Sequence, residues 1–425
     1  MSQRSKGEKE TKPTFCFVRS WRVPRLAVLA IVLVWVTLTA SSLPLFAQQE
    51  AIKIGVLTAR SGPGAPVGDE IYTGIQTATK MHGPVLGRPI ELVVEDSLWN
   101  PQQAVTKATK LVQQYRVAAI LGTSTIESLA LLPIADRLEV PIVTSNSGAA
   151  AITRERCSKW VFRTNPDEIM SVASMKQLIT QNPTLQNAKW FTIGHDYPWS
   201  RLVAGSVKNI PGVKYAGEAV APLDTADWAP FIAQARTAGA TAIVMPVTLG
   251  TPLVQFIQQA NQFGLTKDAV LVSPIGLPDW VVDKLGEIAT RIVSAGSWGA
   301  WRFEEQEPMT RQFNETCFQM HGRVAGMQAL QAGTAALMLY AAITKAGSTE
   351  ATAIVRGLET VETRTPMGML RFQPGGRQAE SLLFLGPFEA LKEPKYGARF
   401  AQKVVEAFPA SKSLMSAKDS GCTPK

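Results

Sequence analysis

From Ile52 onward, short runs rich in Val and Ile alternate with longer amphipathic stretches, and this alternation constrains the fold more than any single motif. Strand candidates are IKIGVLT (52–58), IELVVED (90–96), VAAILG (117–122), PIVTS (141–145), KWFTIGHD (189–196), TAIVMPV (241–247), AVLVSP (269–274) and RIVSAGSW (291–298). Helix candidates fill the gaps. PQQAVTKATKLVQQY opens with Asn100 as N-cap and Pro101 at the first helical position, and DWAPFIAQARTAG stops at Gly239. Nearly continuous apolar strands separated by helices imply an α/β fold with parallel sheets covered on both faces. Four such strands precede Cys157 and four follow Lys189, which predicts two similar lobes. After Trp298 the pattern changes to helices at QFNETCFQMHG, MQALQAGTAALMLYAAITKAGS and EATAIVRGLETV, a turn at RTPMG, and strands at MLRF and SLLFLGPF. The connection VFRTNPDE (161–168) is short, as a hinge sharing several crossings would be.

Residues 1–47 stand apart. Seven basic residues (Arg4, Lys6, Lys9, Lys12, Arg19, Arg22, Arg25) precede an apolar core from Leu26 to Ala40, and no charge falls between Arg25 and Glu50. That is the layout of a secretory signal, and it predicts a periplasmic or other extracytoplasmic location. Cleavage after Ser42, with Ala40 at −3, fits the small-x-small rule better than cleavage after Ala47; an uncleaved N-terminal anchor is the alternative. Past residue 47 there remain 36 basic and 32 acidic residues without a long basic run, so the chain's surplus of positive charge gives no sign of a nucleic-acid surface. Cys157, Cys317 and Cys422 permit one disulfide in an exported chain and leave one thiol over. A Cys157–Cys422 pair would tie down the polar tail SAKDSGCTPK, although spacing alone does not fix the connectivity.

The stretch IKIGVLTARSGPGAPVGDEIYTGIQ poses a choice, because a strand, a glycine-rich loop and a helix in that order also build phosphate cradles. Pro63 and Pro66 remove two of the backbone donors such a cradle needs. Gly62, Gly64 and Gly68 are spaced one residue too long for the dinucleotide fingerprint, and no GxxxxGK[ST] occurs anywhere. The loop is therefore not a nucleotide cradle, and no cofactor is implied.

Six stretches, IKIGVLTARSGPGAPVG, VLGRPIELVVEDSLWNPQQAV, VPIVTSNSGAAAIT, KWVFRTNPDE, HDYPWSR and RTPMGMLRF, together resemble the branched-chain-amino-acid-type (leucine/isoleucine/valine-binding-like) substrate-binding proteins of ABC importers. They spread over nearly the whole chain past residue 50. The resemblance implies the type I periplasmic binding fold: two doubly wound parallel-sheet lobes joined by a three-crossing hinge. Lobe 1 would hold 50–165 plus 299–375 and lobe 2 would hold 166–298 plus 376–425. A monomer would trap a small-molecule ligand, an organic acid or an amino acid, in the interlobe cleft by hinge closure and deliver it to an ABC permease in the membrane.

Site residues follow from the same resemblance, each beside a plain structural reading. In ILGTSTIESLA, hydroxyls of Thr123, Ser124 and Thr125 lie between a strand end and a helix start and would accept a ligand carboxylate; Ser124 or Thr125 would equally serve as a simple N-cap. In TSNSGAA, Asn146 would offer its carbonyl to an ammonium, and the hydroxyl expected two residues on is missing at Gly148, with Ser147 beside it. Tyr197 and Trp199 of HDYPWSR would cover the ligand's apolar part, Thr248 would add a hydroxyl, and Val67 stands where an aromatic wall is usual. Where amino-acid binders place a carboxylate for the α-ammonium, this chain has Pro274 or Ile275. Either Asp279 or Asp69 reaches in, or the ligand has no ammonium; the balance leans to the second.

Two rival readings stand beside this one. AGSWG (295–299) imitates a nucleophile elbow, but only His321 follows it as a base and no helix starts cleanly after it, which argues against a hydrolase and any enzyme activity. No metal-ligand spacing appears. A membrane-tethered sensory domain of the same fold is the stronger alternative, since fold alone does not separate receptor from transporter subunit.

Overall fold

In a computed structural model, Lys12 and residues 50–247, 250–409 and 420–422 are described. The putting-together of residues 50–425 starts from two sheets. The first contains β1 (Ile52–Thr58), β2 (Ile90–Asp96), β3 (Ala119–Leu121), β4 (Ile142–Thr144) and β5 (Val161–Arg163), all parallel, in the order β2-β1-β3-β4-β5. The second has β6 (Lys189–His195), β7 (Lys214–Ala221), β8 (Ala242–Val244), β9 (Val270–Ser273) and β10 (Ile292–Ser297), also parallel, in the order β7-β6-β8-β9-β10. The two orders are the same, so the lobes repeat one doubly wound plan. After the first sheet's companion hairpin, β11 (Glu362–Thr365) and β12 (Gly368–Arg371), the antiparallel strands β13 (Leu382–Lys395), β14 (Ala398–Gln402) and β15 (Glu406–Pro409) extend the second sheet past β10.

The sequence pattern located eight of these ten parallel strands. It missed β5, read as part of the hinge, because only three residues separate Trp160 from the crossing; all three are buried. It missed β7 because KYAGEAVA, with three alanines, a glycine and a single valine, has too few β-branched residues to stand out as a strand. The glycines of the opening loop turn out to serve packing. A side chain at Gly68 would collide with the Ala59 carbonyl, so glycine lets the helix Ala65–His82 pass close over the end of β1. The helix Met327–Ala346 crosses that same helix where Gly74 leaves room for the backbone of Ala329.

Three segments connect the sheets: 164–168, 298–301 and 372–381. Two of them are stitched together. The Arg163 amide donates to the Arg377 carbonyl at 2.8 Å, and the Ala379 amide donates to the Arg163 carbonyl at 2.8 Å. The Arg163 side chain, fully buried, donates to Gln378 Oε1 (2.6 Å), the Ala149 carbonyl (2.5 Å), Thr153 Oγ1 (2.5 Å) and Asp167 Oδ2 (3.1 Å). Arg154 also donates to Asp167 Oδ2, at 3.0 Å. A buried guanidinium is tolerable only with such complete pairing. Cys157 and Cys422 form a disulfide, and Cys317 is free and buried. The bond links the tail beyond β15, in the second sheet, to the loop ahead of β5 in the first. It is a covalent connection additional to the three chain crossings.

Candidate functional site

A slot opens where the carboxyl ends of both sheets meet, the place at which open α/β sheets bind ligands. Its walls come from the residues just past seven strands. From the first sheet these are Val67 after β1, Trp99 after β2, Ser124 and Thr125 after β3, and Asn146 after β4. From the second they are Tyr197 and Trp199 after β6, Ile275 after β9 and Trp298 after β10. The atom-free space is about 370 Å³. The slot is therefore small.

The hydroxyls of the first wall already have partners. Ser124 donates to Glu127, whose other oxygen accepts from Ser97 Oγ at 2.6 Å, and the Ser124 amide donates to Glu127 at 3.0 Å in a capping box for the helix Thr125–Leu131. Burial holds the Glu127 carboxyl above its ordinary pKa. Thr125 Oγ1 accepts from the Gly148 amide at 2.9 Å, clamping the β4 turn to the β3 turn. Thr123 and Ser147 stand behind the slot in a buried cluster with Ser128 and Thr144; Ser128 Oγ donates to Thr123 Oγ1 at 2.9 Å. Asn165 holds the same turn, accepting from the Ser147 amide at 3.1 Å.

The second wall is aromatic. The Tyr197 hydroxyl reaches Ser124, Thr125 and the Ile126 amide on the first wall, and burial pushes its pKa up. Tyr197 also pairs with Trp99, centroids 5.8 Å apart, and Trp199 meets Trp298 edge-on at 6.2 Å. The Trp298 indole N–H donates to Ser171 Oγ at 3.1 Å. Trp99 has φ of +51°, directly after Leu98 at +56°, left-handed conformations that are rare for bulky residues and mark over-determined, functional loops. The Asp96 carboxylate steadies this turn by accepting from the Arg60 and Leu98 amides at 2.8 and 2.9 Å.

Two buried donors on the slot walls have no hydrogen-bond partner among the described residues: Asn146 Nδ2 and Trp199 Nε1. No acidic side chain lines the slot among the described residues. Asp69 is exposed and pairs with Arg60 and Arg323, while Asp279 lies outside the walls, its pKa raised by burial and by nearby Glu70. The missing hydroxyl at Gly148 has a steric reason. A Cβ there would lie 2.6 Å from Trp199 Nε1 and closer still to Cδ1, so the indole fills that space. Of the expected residues, Val67, Ser124, Thr125, Asn146, Tyr197 and Trp199 come together in the slot, Thr123, Ser147 and Gly148 support it from behind, and Thr248 lies outside the described residues. Sequence reasoning missed Trp99 and Trp298 as wall residues, although Trp298 ends a predicted strand and Trp99 lies three residues past another. No group of His, Cys, Asp and Glu able to hold a metal occurs among the described residues.

The sequence profile of the periplasmic binding proteins matches residues 51–391. The chain belongs to this family. A curated relative, the Leu/Ile/Val-binding protein homolog 7 of Brucella suis, is 28% identical over 233 residues, which is 52% of this chain and 58% of the relative. The chain thus spans little more than half the length of that relative. An ABC transporter substrate-binding protein from Sphaerobacter thermophilus superposes with a TM-score of 0.75 at 25% identity, covering 85% of this chain and 98% of that one. A solute-binding protein of an ABC transporter from R. palustris, in complex with 4-hydroxybenzoate, superposes with a TM-score of 0.75 at 22% identity, covering 84% and 97%. This periplasmic binding protein has the type I fold of two parallel-sheet lobes.

Proposed function

We propose that this protein is the receptor of an ABC importer, closing its lobes over a small carboxylate-bearing molecule and presenting it to a membrane permease. One observation carries the reading: a narrow slot at the carboxyl ends of both sheets whose walls hold two buried N–H donors without a partner among the described residues, Asn146 Nδ2 and Trp199 Nε1. An unpaired buried donor costs about 1–3 kcal/mol, which a ligand oxygen would recover. Aromatic rings of Trp99, Tyr197 and Trp298 supply flat apolar walls, and the R. palustris protein of similar fold is in complex with an aromatic acid, 4-hydroxybenzoate. Within this reading Ser124, Thr125, Asn146, Tyr197 and Trp199 touch the ligand, Thr123, Ser147 and Gly148 hold the turns that do so, and the lobes divide near 165, 299 and 376.

A thermal-shift screen of benzoates, aliphatic acids, amino acids, short amides and dicarboxylates tests it. A true ligand at one hundred times its Kd stabilises the folded state by about 2.7 kcal/mol. Absence of any shift across all carboxylates in the panel would refute the reading.

A further inference from the structure

Resting on that reading, we infer that Trp199, seated over Gly148, sets the ligand class by presenting a donor that cannot accept, and so selects carboxylic acids that lack an α-amino group. A hydroxyl at position 148 could donate to a carboxylate or accept from an ammonium. This chain has no side chain there, and the indole of Trp199 occupies the space, with Nε1 buried and unpartnered among the described residues. Indole nitrogen is a donor only. The Asn146 amide can turn either its N–H or its carbonyl to the guest, so Asn146 does not decide polarity; Trp199 does. An α-ammonium also needs a carboxylate or several acceptors. Pro274 or Ile275 stands where the sequence resemblance expects the acid, no acidic side chain lines the slot among the described residues, and Thr125 Oγ1 already accepts from the Gly148 amide. An ammonium beside an indole N–H would be desolvated against a like-oriented dipole. Gly148 and Trp199 thus act as one unit: the glycine is required because the indole lies against it, and the indole replaces the hydroxyl by a group of fixed polarity.

Matched pairs that differ only in the amine test this by calorimetric titration of the intact folded protein: 4-methylpentanoate against L-leucine, and 3-phenylpropionate against L-phenylalanine. The expected result is that at least one deaminated acid binds at least tenfold more tightly than its amino acid. Binding of the amino acids in preference to both deaminated acids overturns the inference while leaving the receptor reading intact; binding of no acid removes both. Trp199→Phe keeps a ring against Gly148 and deletes the donor, and it should weaken the bound acid about tenfold. Unchanged affinity in a folded W199F protein overturns the role of the indole. Asn146→Asp supplies the missing acceptor and should shift the affinity ratio toward the amino acid by at least tenfold. That ratio is insensitive to a general loss of fold, and an unmoved ratio counts against the inference.

Discussion

The two walls of the slot are built on sheets with the same strand order, yet they differ in chemistry. The first wall, from the β3 and β4 turns, is polar and largely self-satisfied: Ser124 on Glu127, Thr125 on the Gly148 amide, Asn165 on the Ser147 amide. The second wall, from the β6, β9 and β10 turns, is aromatic and aliphatic, with one free donor at Trp199. The comparison teaches that a repeated scaffold fixes where strand ends point, while the loops divide the work. The first wall is a rigid template set by internal hydrogen bonds, and the second supplies contact area and a single polarity choice.

That contrast can be broken most forcefully at Arg163, which ties the β4 turn to two hinge segments. Arg163→Met leaves Asp167 short of a partner and strips the donor from the Ala149 carbonyl, and loss of one member of a buried pair should cost about 3–5 kcal/mol in urea unfolding. A cost below about 1 kcal/mol would mean the template is not held from the hinge. Next in size, Cys422→Ser opens the Cys157–Cys422 link, and the unfolding free energy should fall by about 2–4 kcal/mol. An unchanged value would show that the tail bond does not restrain the unfolded chain.

Glu168 sharpens the comparison through pH. Its carboxylate accepts from the Ala150 amide at 2.6 Å, and burial, then neighbouring Asp167, pushes its pKa up to about 7. A raised folded pKa means its contribution is full below the unfolded value near 4.5 and is lost as pH rises through about 7. Wild-type stability relative to Glu168→Gln should therefore drop by about 3 kcal/mol between pH 4.5 and 7.5. Taking the difference removes His195, whose pKa burial lowers to about 4 and which acts in the opposite direction. A flat difference would place Glu168 outside the template. The smallest expected effect is Thr125→Val, which breaks the clamp on the Gly148 amide and should weaken acid binding by about 1 kcal/mol. Loss of all binding would instead give Thr125 a direct and dominant role.

Most of the scaffold was legible in the sequence, because its strands carry clusters of Val, Ile and Leu: IKIGVLT and IELVVED match β1 and β2 residue for residue. Short or alanine-rich strands such as β5 and β7 were not, since three residues, or a run with one Val and no Ile or Leu, carry too little signal. The Cys157–Cys422 pairing was one option among several and is the one formed. The position of the slot was legible because strand ends can be read from the pattern. Which hydroxyls are free was not, because Ser124, Thr123 and Ser147 spend theirs on partners 3 to 19 residues distant, or further, brought together only by folding. Gly148 read as a missing hydroxyl; its reason, the indole of Trp199, lies on the other lobe.

The most direct test watches the one donor on the aromatic wall. In ¹⁵N-indole spectra of the wild type, with the Trp199 signal assigned by its absence in Trp199→Phe, addition of 3-phenylpropionate to saturation should move the Trp199 indole proton downfield, as a new hydrogen bond to a carboxylate oxygen requires. Saturable binding that leaves that resonance in place would contradict the account.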